Sequence, residues 1–304
     1  MHRKSAKVIR WTAEAAILPA LGDRLCAKLT TDELRKWHEV QANEPARLRT
    51  KKGAPQNYRD LKPEDDEEEK RRRQATANRK LVILKAALNR AWNDKKIPSD
   101  DAWRPVKPFR ETDTARLRWL TIDECRRLAN AADPDLRKMI HAALHTGCRY
   151  AELAGLVATD FNRDSRTLRI GKSKSGKARH VVLTEDGAQF FEQLAAGRSG
   201  QALLLPKADG SKWLKSHQSR PMKDACERAK IEPPASFHTL RHTWASLSVM
   251  NGMPLMVVAR NLGHTDTRMV EKHYGHLAPD FVSKTIREYA PRFGFGSESN
   301  VVSI

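Results

Sequence analysis

An arginine, a lysine, a His-x-x-Arg pair, another histidine and a tyrosine follow one another from the middle of this 304-residue chain onward. They are Arg149 in Thr146-Gly147-Cys148-Arg149, Lys174 in Gly171-Lys172-Ser173-Lys174-Ser175-Gly176-Lys177-Ala178-Arg179, and His238 and Arg241 in Ser236-Phe237-His238-Thr239-Leu240-Arg241-His242-Thr243. His264 follows in Asn261-Leu262-Gly263-His264, and Tyr274 in Lys272-His273-Tyr274-Gly275-His276-Leu277. The chemistry open to such a set is phosphodiester transfer. The oxygens of a phosphodiester are anionic and repel a nucleophile, and two fixed guanidiniums neutralise the charge that grows in a pentavalent transition state without a metal. Arg149 and Arg241 are the candidates for that clamp. Arg241 lies one helical turn after His238, so both reach one site. The Tyr274 hydroxyl can attack phosphorus and keep the energy of the broken bond in a covalent link. His238 is the candidate base for its proton, and His264 would bond the phosphate or orient the clamp. Glu152, three residues after Arg149, is placed to hold that arginine. His242, His273 and His276 are weaker candidates. His238 and His242, four apart, could bind zinc, but there is neither His-Glu-x-x-His nor a nearby Cys.

These residues need elements to carry them. Thr121 with Glu124 has the spacing of a capping box and opens a helix. Leu136, Met139, Ile140 and Ala143 make the apolar stripe of the next, which Gly147 ends in the left-handed position, so that a further helix begins close to Arg149. Thr167-Leu168-Arg169-Ile170 and His180-Val181-Val182-Leu183 read as a small antiparallel hairpin with Lys174 near its tip. Leu240, Thr243, Trp244 and Leu247 form one later stripe; Leu255, Val258, Ala259 and Leu262 form another, closed by Gly263.

Upstream, Thr30 with Glu33 forms another capping box, opening a helix through Trp37. Arg47 to Gly53 lacks apolar periodicity and reads as a loop that could touch phosphates. From Asp65 the chain runs acidic, then basic from Lys70 to Arg73, and then shows Leu81, Leu84, Leu88, Ala91 and Trp92 at helical spacing, a long helix with one buried face. Prolines at 98, 105 and 108 mark a linker between two domains. The expected division is residues 1–104 helical, 105–118 linker, 119–290 a mostly α domain with a small antiparallel sheet, and 291–304 a tail.

A chain that is 39% hydrophobic can bury a core of its own. Its 56 Lys and Arg against 37 Asp and Glu leave +19, which favours a polyanionic partner. Cys26, Cys125, Cys148 and Cys226 are scattered, without the spacing of a disulfide framework or zinc ribbon. No apolar run is long enough to span a bilayer, and no secretory core follows the N-terminus. A cytoplasmic protein is the expectation.

The order Arg, Lys, His-x-x-Arg, His, Tyr resembles the tyrosine recombinases of the phage-integrase type. The resemblance has sharp motifs from about Thr121 to Tyr289 and only a general pattern from Ala13 to Trp103. It implies a helical core-type DNA-binding domain followed by an α+β catalytic domain, and a site-specific recombinase that cleaves and rejoins DNA through a 3′-phosphotyrosyl intermediate. Integration or excision of a prophage or genomic island is the implied task, with no cofactor and no metal. Lys174 matches the lysine that protonates the leaving 5′-oxygen in the family, with Lys172 as the alternative. Lys51, Lys52, Arg71 and Arg72 are the expected DNA contacts of the first domain. The implied partners are double-stranded attachment sites, three further copies of the chain in a synaptic homo-tetramer, and accessory DNA-bending and directionality proteins. The implied setting is the nucleoid of a bacterial cytoplasm. The interval from His264 to Tyr274 is one residue longer than in many relatives. Many phage integrases carry a separate N-terminal arm-site domain, and the expectation is that this chain lacks it or is a truncated form. A chromosome-dimer resolvase, a type IB topoisomerase and a catalytically inactive DNA-binding accessory factor or repressor remain alternatives at this point.

Overall fold

The structure, a computed structural model, describes residues 4–48, 50–51, 53–60, 66–112, 118–171, 178–275, 283 and 286–291. Lys52, Lys172, Lys174, Lys177, His276 and the tail after Pro291 therefore lie outside the described residues, as do Pro279, Phe281 and Thr285, where the sequence leads one to expect a helix opened by the proline with an apolar stripe through Phe281, Thr285 and Ile286. The chain divides into two compact units, Met1–Ala115 and Arg116–Ile304.

The first unit is helical: α1 (Lys4–Thr12) runs through a π-helical turn into α2 (Leu18–Leu21), followed by α3 (Thr31–Asn43) and α4 (Asp66–Asn93). Thr30 and Glu33 close the expected capping box on α3. Leu34 and Trp37 of α3 meet Leu81, Leu84 and Leu88 of α4 in a core that Ile17, Leu29, Ile97, Trp103 and Val106 complete. Two expectations shift. Trp92 sits at the margin of the α4 stripe, 36% exposed, with the Arg104 guanidinium over its ring. The stretch expected to be linker from residue 105 packs on this unit as far as Phe109: Val106 is buried, its carbonyl accepts from Lys85, and Phe109 stacks on His38 with ring centroids 4.3 Å apart. Isolated apolar residues between prolines carry no period, so sequence pattern does not betray their burial.

The second unit is mostly helical around one small sheet. Its elements are α5 (Ile122–Ala131), α6 (Pro134–Thr146), α7 (Tyr150–Leu153), β1 (Phe161–Asn162), β2 (Thr167–Ile170), β3 (Arg179–Val182), α8 (Glu185–Ala195), α9 (Ser219–Arg228), α10 (Phe237–Met250), α11 (Leu255–Leu262) and α12 (Arg268–Tyr274). The strands are antiparallel in the order β1-β2-β3, with Leu168 opposite Val181. The expected hairpin is thus extended by a two-residue strand too short to show alternation. Leu136, Met139 and Ile140 of α6, Leu168, Val181, Phe191 and Leu240 share the main core. A smaller cluster, Ala245, Val249, Val258, Ala259, Leu262, Val270 and Tyr274, joins α10, α11 and α12. Among the described residues no helix is long and apolar enough to cross a membrane.

Candidate active site

Four local devices bring the candidate residues together. Gly147 stops α6 at φ +64°, where a Cβ would lie 2.8 Å from the Trp244 ring, so the position admits little besides glycine. Arg149 then stands at the N-cap of α7, and its backbone N–H donates to Glu152 Oε2 at 2.9 Å. Ser236 caps α10, its hydroxyl accepting from the Thr239 N–H, and so fixes the register of His238, Arg241 and His242. Gly263 ends α11 at φ +73° and turns the chain into His264.

Arg241 is 3% exposed. Its Nη1 donates to Gly147 O at 2.8 Å, its Nη2 donates to Leu262 O at 2.7 Å, and Nη2 lies 3.1 Å from His264 Nε2. Burial and the nearby Arg149 pull this guanidinium down to about 10. Arg149, less covered, reaches Glu152 Oε1 through Nη1 at 3.1 Å. Arg179, from the start of β3, takes the same carboxylate in a fork, with Nη1 to Oε1 at 3.1 Å and Nη2 to Oε2 at 2.9 Å. Burial pushes the Glu152 carboxyl up, but the hydrogen bonds from Arg179 and the Arg149 N–H outweigh it and hold it below the usual range.

Tyr274 is 3% exposed in the α10–α11–α12 cluster, and burial pushes its phenol up to about 12. Its hydroxyl makes a short hydrogen bond with His242 Nδ1. The structure thus brings His242, rather than His238, to the tyrosine. The reason is helical phase: α12 packs beside the turn of α10 that carries His242 and Ala245, one turn beyond His238. The His238 ring stands edge-on to that of His242 at 4.4 Å, near the exposed start of the helix. Burial, then neighbouring cations, lower all three imidazoles: His242 and His264 fall to about 4, and His238 falls as well through burial, Arg241 and Arg149. His264 Nδ1 is buried and has no hydrogen-bond partner among the described residues.

The sequence pattern did not single out Arg179, and it ranked His242 low. Both act through tertiary contacts that local spacing does not encode; the only hint is that Arg179 ends the run holding Lys174. Beside them a cavity of about 800 Å³ is lined by Arg179, His180, Arg260, His264 and Thr267, among others. Among the described residues no cluster of His, Cys, Asp or Glu is placed to hold a metal ion. In the first unit, Lys51 is exposed. Arg71 pairs with Glu68 at 2.8 Å and Arg72 with Glu69 at 3.0 Å, so part of the charge expected to meet DNA is neutralised along α4.

A helical unit and an α+β unit with convergent Arg, His and Tyr side chains define the class. Residues 118–280, more than half of the chain, match the phage integrase family, and the chain belongs to it. The integrase of Escherichia phage 186 is 29% identical over 218 residues, covering 70% of this chain and 59% of that protein. That of Salmonella phage P22 is 29% identical over 231 residues, covering 72% and 58%. The chain thus spans about three fifths of the length of these relatives. The Tn1549 transposon integrase in complex with transposon right end DNA has the same fold, with a TM-score of 0.67 at 18% identity over 95% of each chain. So does a lambda integrase dimer bound to a COC′ core site, at 0.67 and 18% over 90% of this chain and 89% of that one.

Proposed function

We propose that the protein is a site-specific DNA recombinase that breaks and rejoins strands through a 3′-phosphotyrosyl intermediate, integrating or excising a prophage or genomic island. Arg241 carries this reading. It is a buried guanidinium whose hydrogen-bond partners, among the described residues, are two carbonyls and an imidazole. Glu152 acts on it only from beyond hydrogen-bond reach, so this buried cation is short of balancing charge, and a bound phosphate supplies it. Arg149, anchored by Glu152 and only partly covered, closes the clamp from the other side. His264, neutral at pH 7 through its low pKa, accepts from Arg241 at Nε2 and so orients that guanidinium.

Tyr274 is the nucleophile. In the arrangement described it is covered, and its raised pKa makes it a poor one, so α12 must present it before attack. His242 receives the phenolic proton and His238, at the open end of α10, relays it to solvent. Lys174 or Lys172 protonates the leaving 5′-oxygen, an assignment that rests on sequence order. Lys51, Lys52, Arg71 and Arg72 contact backbone phosphates of an attachment site. Four protomers assemble at synapsis, accessory bending and directionality proteins set the outcome, and the setting is the bacterial nucleoid. The curated relatives are named as integrases, and the solved relatives are in complex with DNA.

The test is a duplex nicked beside the cleavage point, which traps an active enzyme covalently because the nicked fragment diffuses away. The adduct is expected from wild-type protein and from no Tyr274→Phe sample. Exchange between two sites, rather than relaxation of a single circle, separates a recombinase from a topoisomerase.

A further inference from the structure

The reaction as assigned leaves Arg179 without a task, yet this is among the best-held side chains of the unit, with a side-chain exposure of 10%. Its contacts run to two segments far apart in sequence, one holding Cys148 and Glu152 and the other Asn261 and Gly263. The guanidinium forks onto Glu152 of α7, Nε donates to Asn261 O of α11 at 2.8 Å, and Nη2 lies 3.7 Å from Cys148 Sγ. Its stem also passes over Gly263. A Cβ there would lie 3.0 to 3.1 Å from Arg179 Nη1, Cδ and Cζ, so the turn before His264 lacks a side chain where Arg179 crosses it.

Charge accounting gives this placement a consequence. With Arg149 as its only cation, the Glu152 carboxylate would close on it and withdraw that fork from any bound anion. Arg179 occupies both carboxylate oxygens, and bidentate charge-assisted bonds of this kind are the strong ones. Arg149, Glu152 and Arg179 together then keep a net positive charge, with Arg149 facing outward. Nε of the same guanidinium fixes the Asn261 carbonyl, next to Leu262, whose carbonyl orients Arg241. One buried arginine braces the supports of both clamp arginines.

We propose that Arg179 is a positioning residue, which holds Glu152 and the turn from Asn261 to His264 so that Arg149 and Arg241 meet one phosphate with their charge available. The proposal rests on reading the site as one that cleaves a phosphodiester. Its test is single-turnover trapping on the nicked duplex by Arg179→Gln, Arg179→Lys, Glu152→Gln and the Arg179→Gln/Glu152→Gln double variant. Arg179→Gln should trap DNA about 10- to 100-fold more slowly, the order typical of groups that orient a charged first layer, with duplex affinity within about threefold. Lysine should rescue poorly, because a point charge cannot fork. The double variant should be no slower than the slower single variant, since both changes break one chain of contacts.

Wild-type trapping by Arg179→Gln, or additive losses in the double variant, would overturn the proposal. So would rescue of Arg179→Gln by a 5′-bridging sulfur, which places the defect at the leaving group. If Arg179→Gln does not fold, Arg179→Lys carries the same cycle. Inorganic phosphate titrated against the His264 imidazole resonance gives an arm that needs no cleavage. Phosphate binding that weakens in the Arg179 variants while wild type forms no adduct would sink the strand-cleavage reading and leave the positioning role standing. Phosphate binding indifferent to Arg179 would remove the role.

Discussion

At the scale of single residues, the site is a set of cations and imidazoles held back from water, and its predictions follow from what each loses on substitution. Arg149→Ala and Arg241→Ala are each expected to slow covalent trapping by roughly 10² or more, the order for one preorganised donor to a transition state. Arg241→Lys should fare little better, because three partners are met by one planar fork; near-wild-type trapping by Arg241→Lys would remove it from the clamp. The histidines make a separate prediction about pH. His242 and His264 titrate near 4 in the fold against about 6.5 in an unfolded chain. Their folded values are depressed, so the stability they contribute is complete above about pH 6.5 and is lost as pH falls towards 4. The thermal midpoint should drop over that window, and His264→Gln should flatten the drop. A midpoint independent of pH between 7 and 4 would contradict the burial of these rings. What sequence made legible at this scale is the set of residue types that the proposed reading gathers around a phosphate. The Arg179–Glu152 fork and the His242–Tyr274 bond were not legible, because they join segments 27 and 32 residues apart whose meeting is decided by packing.

At the scale of elements, legibility followed locality. The capping boxes at Thr30 and Thr121 and the helix-ending glycines at 147 and 263 are written in a few adjacent residues, and each is found where its pattern places it. The two-residue β1 and the packing of Val106 and Phe109 depend on distant partners and left no period to read. Gly147 shows how an element boundary reaches the chemistry. Its φ of +64° and the Trp244 ring 2.8 Å from a would-be Cβ both oppose a side chain, while its carbonyl accepts from Arg241. Gly147→Ala should therefore destabilise the unit by about 1 to 3 kcal/mol, combining left-handed strain with overpacking. It should also slow trapping beyond what the residual folded fraction explains. Thr121→Ala, which removes a cap whose bonds run only to Glu124 of the same helix, should lose about 1 kcal/mol and leave the trapping rate of folded protein unchanged. Equal kinetic effects from the two substitutions would mean that Gly147 matters only for stability.

At the scale of the whole molecule, the excess of 19 positive charges predicts duplex binding that weakens steeply with salt, since each neutralised phosphate releases counterions. Charge alone would not organise the proposed four copies on two duplexes, and for that the segment after Tyr274 is the element to test. Ile286 and Tyr289 are 60% and 75% exposed, large apolar groups that the described residues leave open. A second copy of the chain is the partner that synapsis itself supplies, and docking there would tie the presentation of one Tyr274 to the state of its neighbour, because α12 immediately precedes the segment. Deleting the chain from Asp280 onward is expected to leave single-site binding and its salt dependence intact, because the clamp and the first unit are untouched. The same deletion should reduce two-site complexes in a gel-shift titration and uncouple cleavage at paired sites. Ile286→Asp with Tyr289→Asp should do likewise without shortening the chain. Wild-type recombination between two sites by either variant would show that these exposed groups do not join protomers, and control of Tyr274 would then have to lie within a single chain.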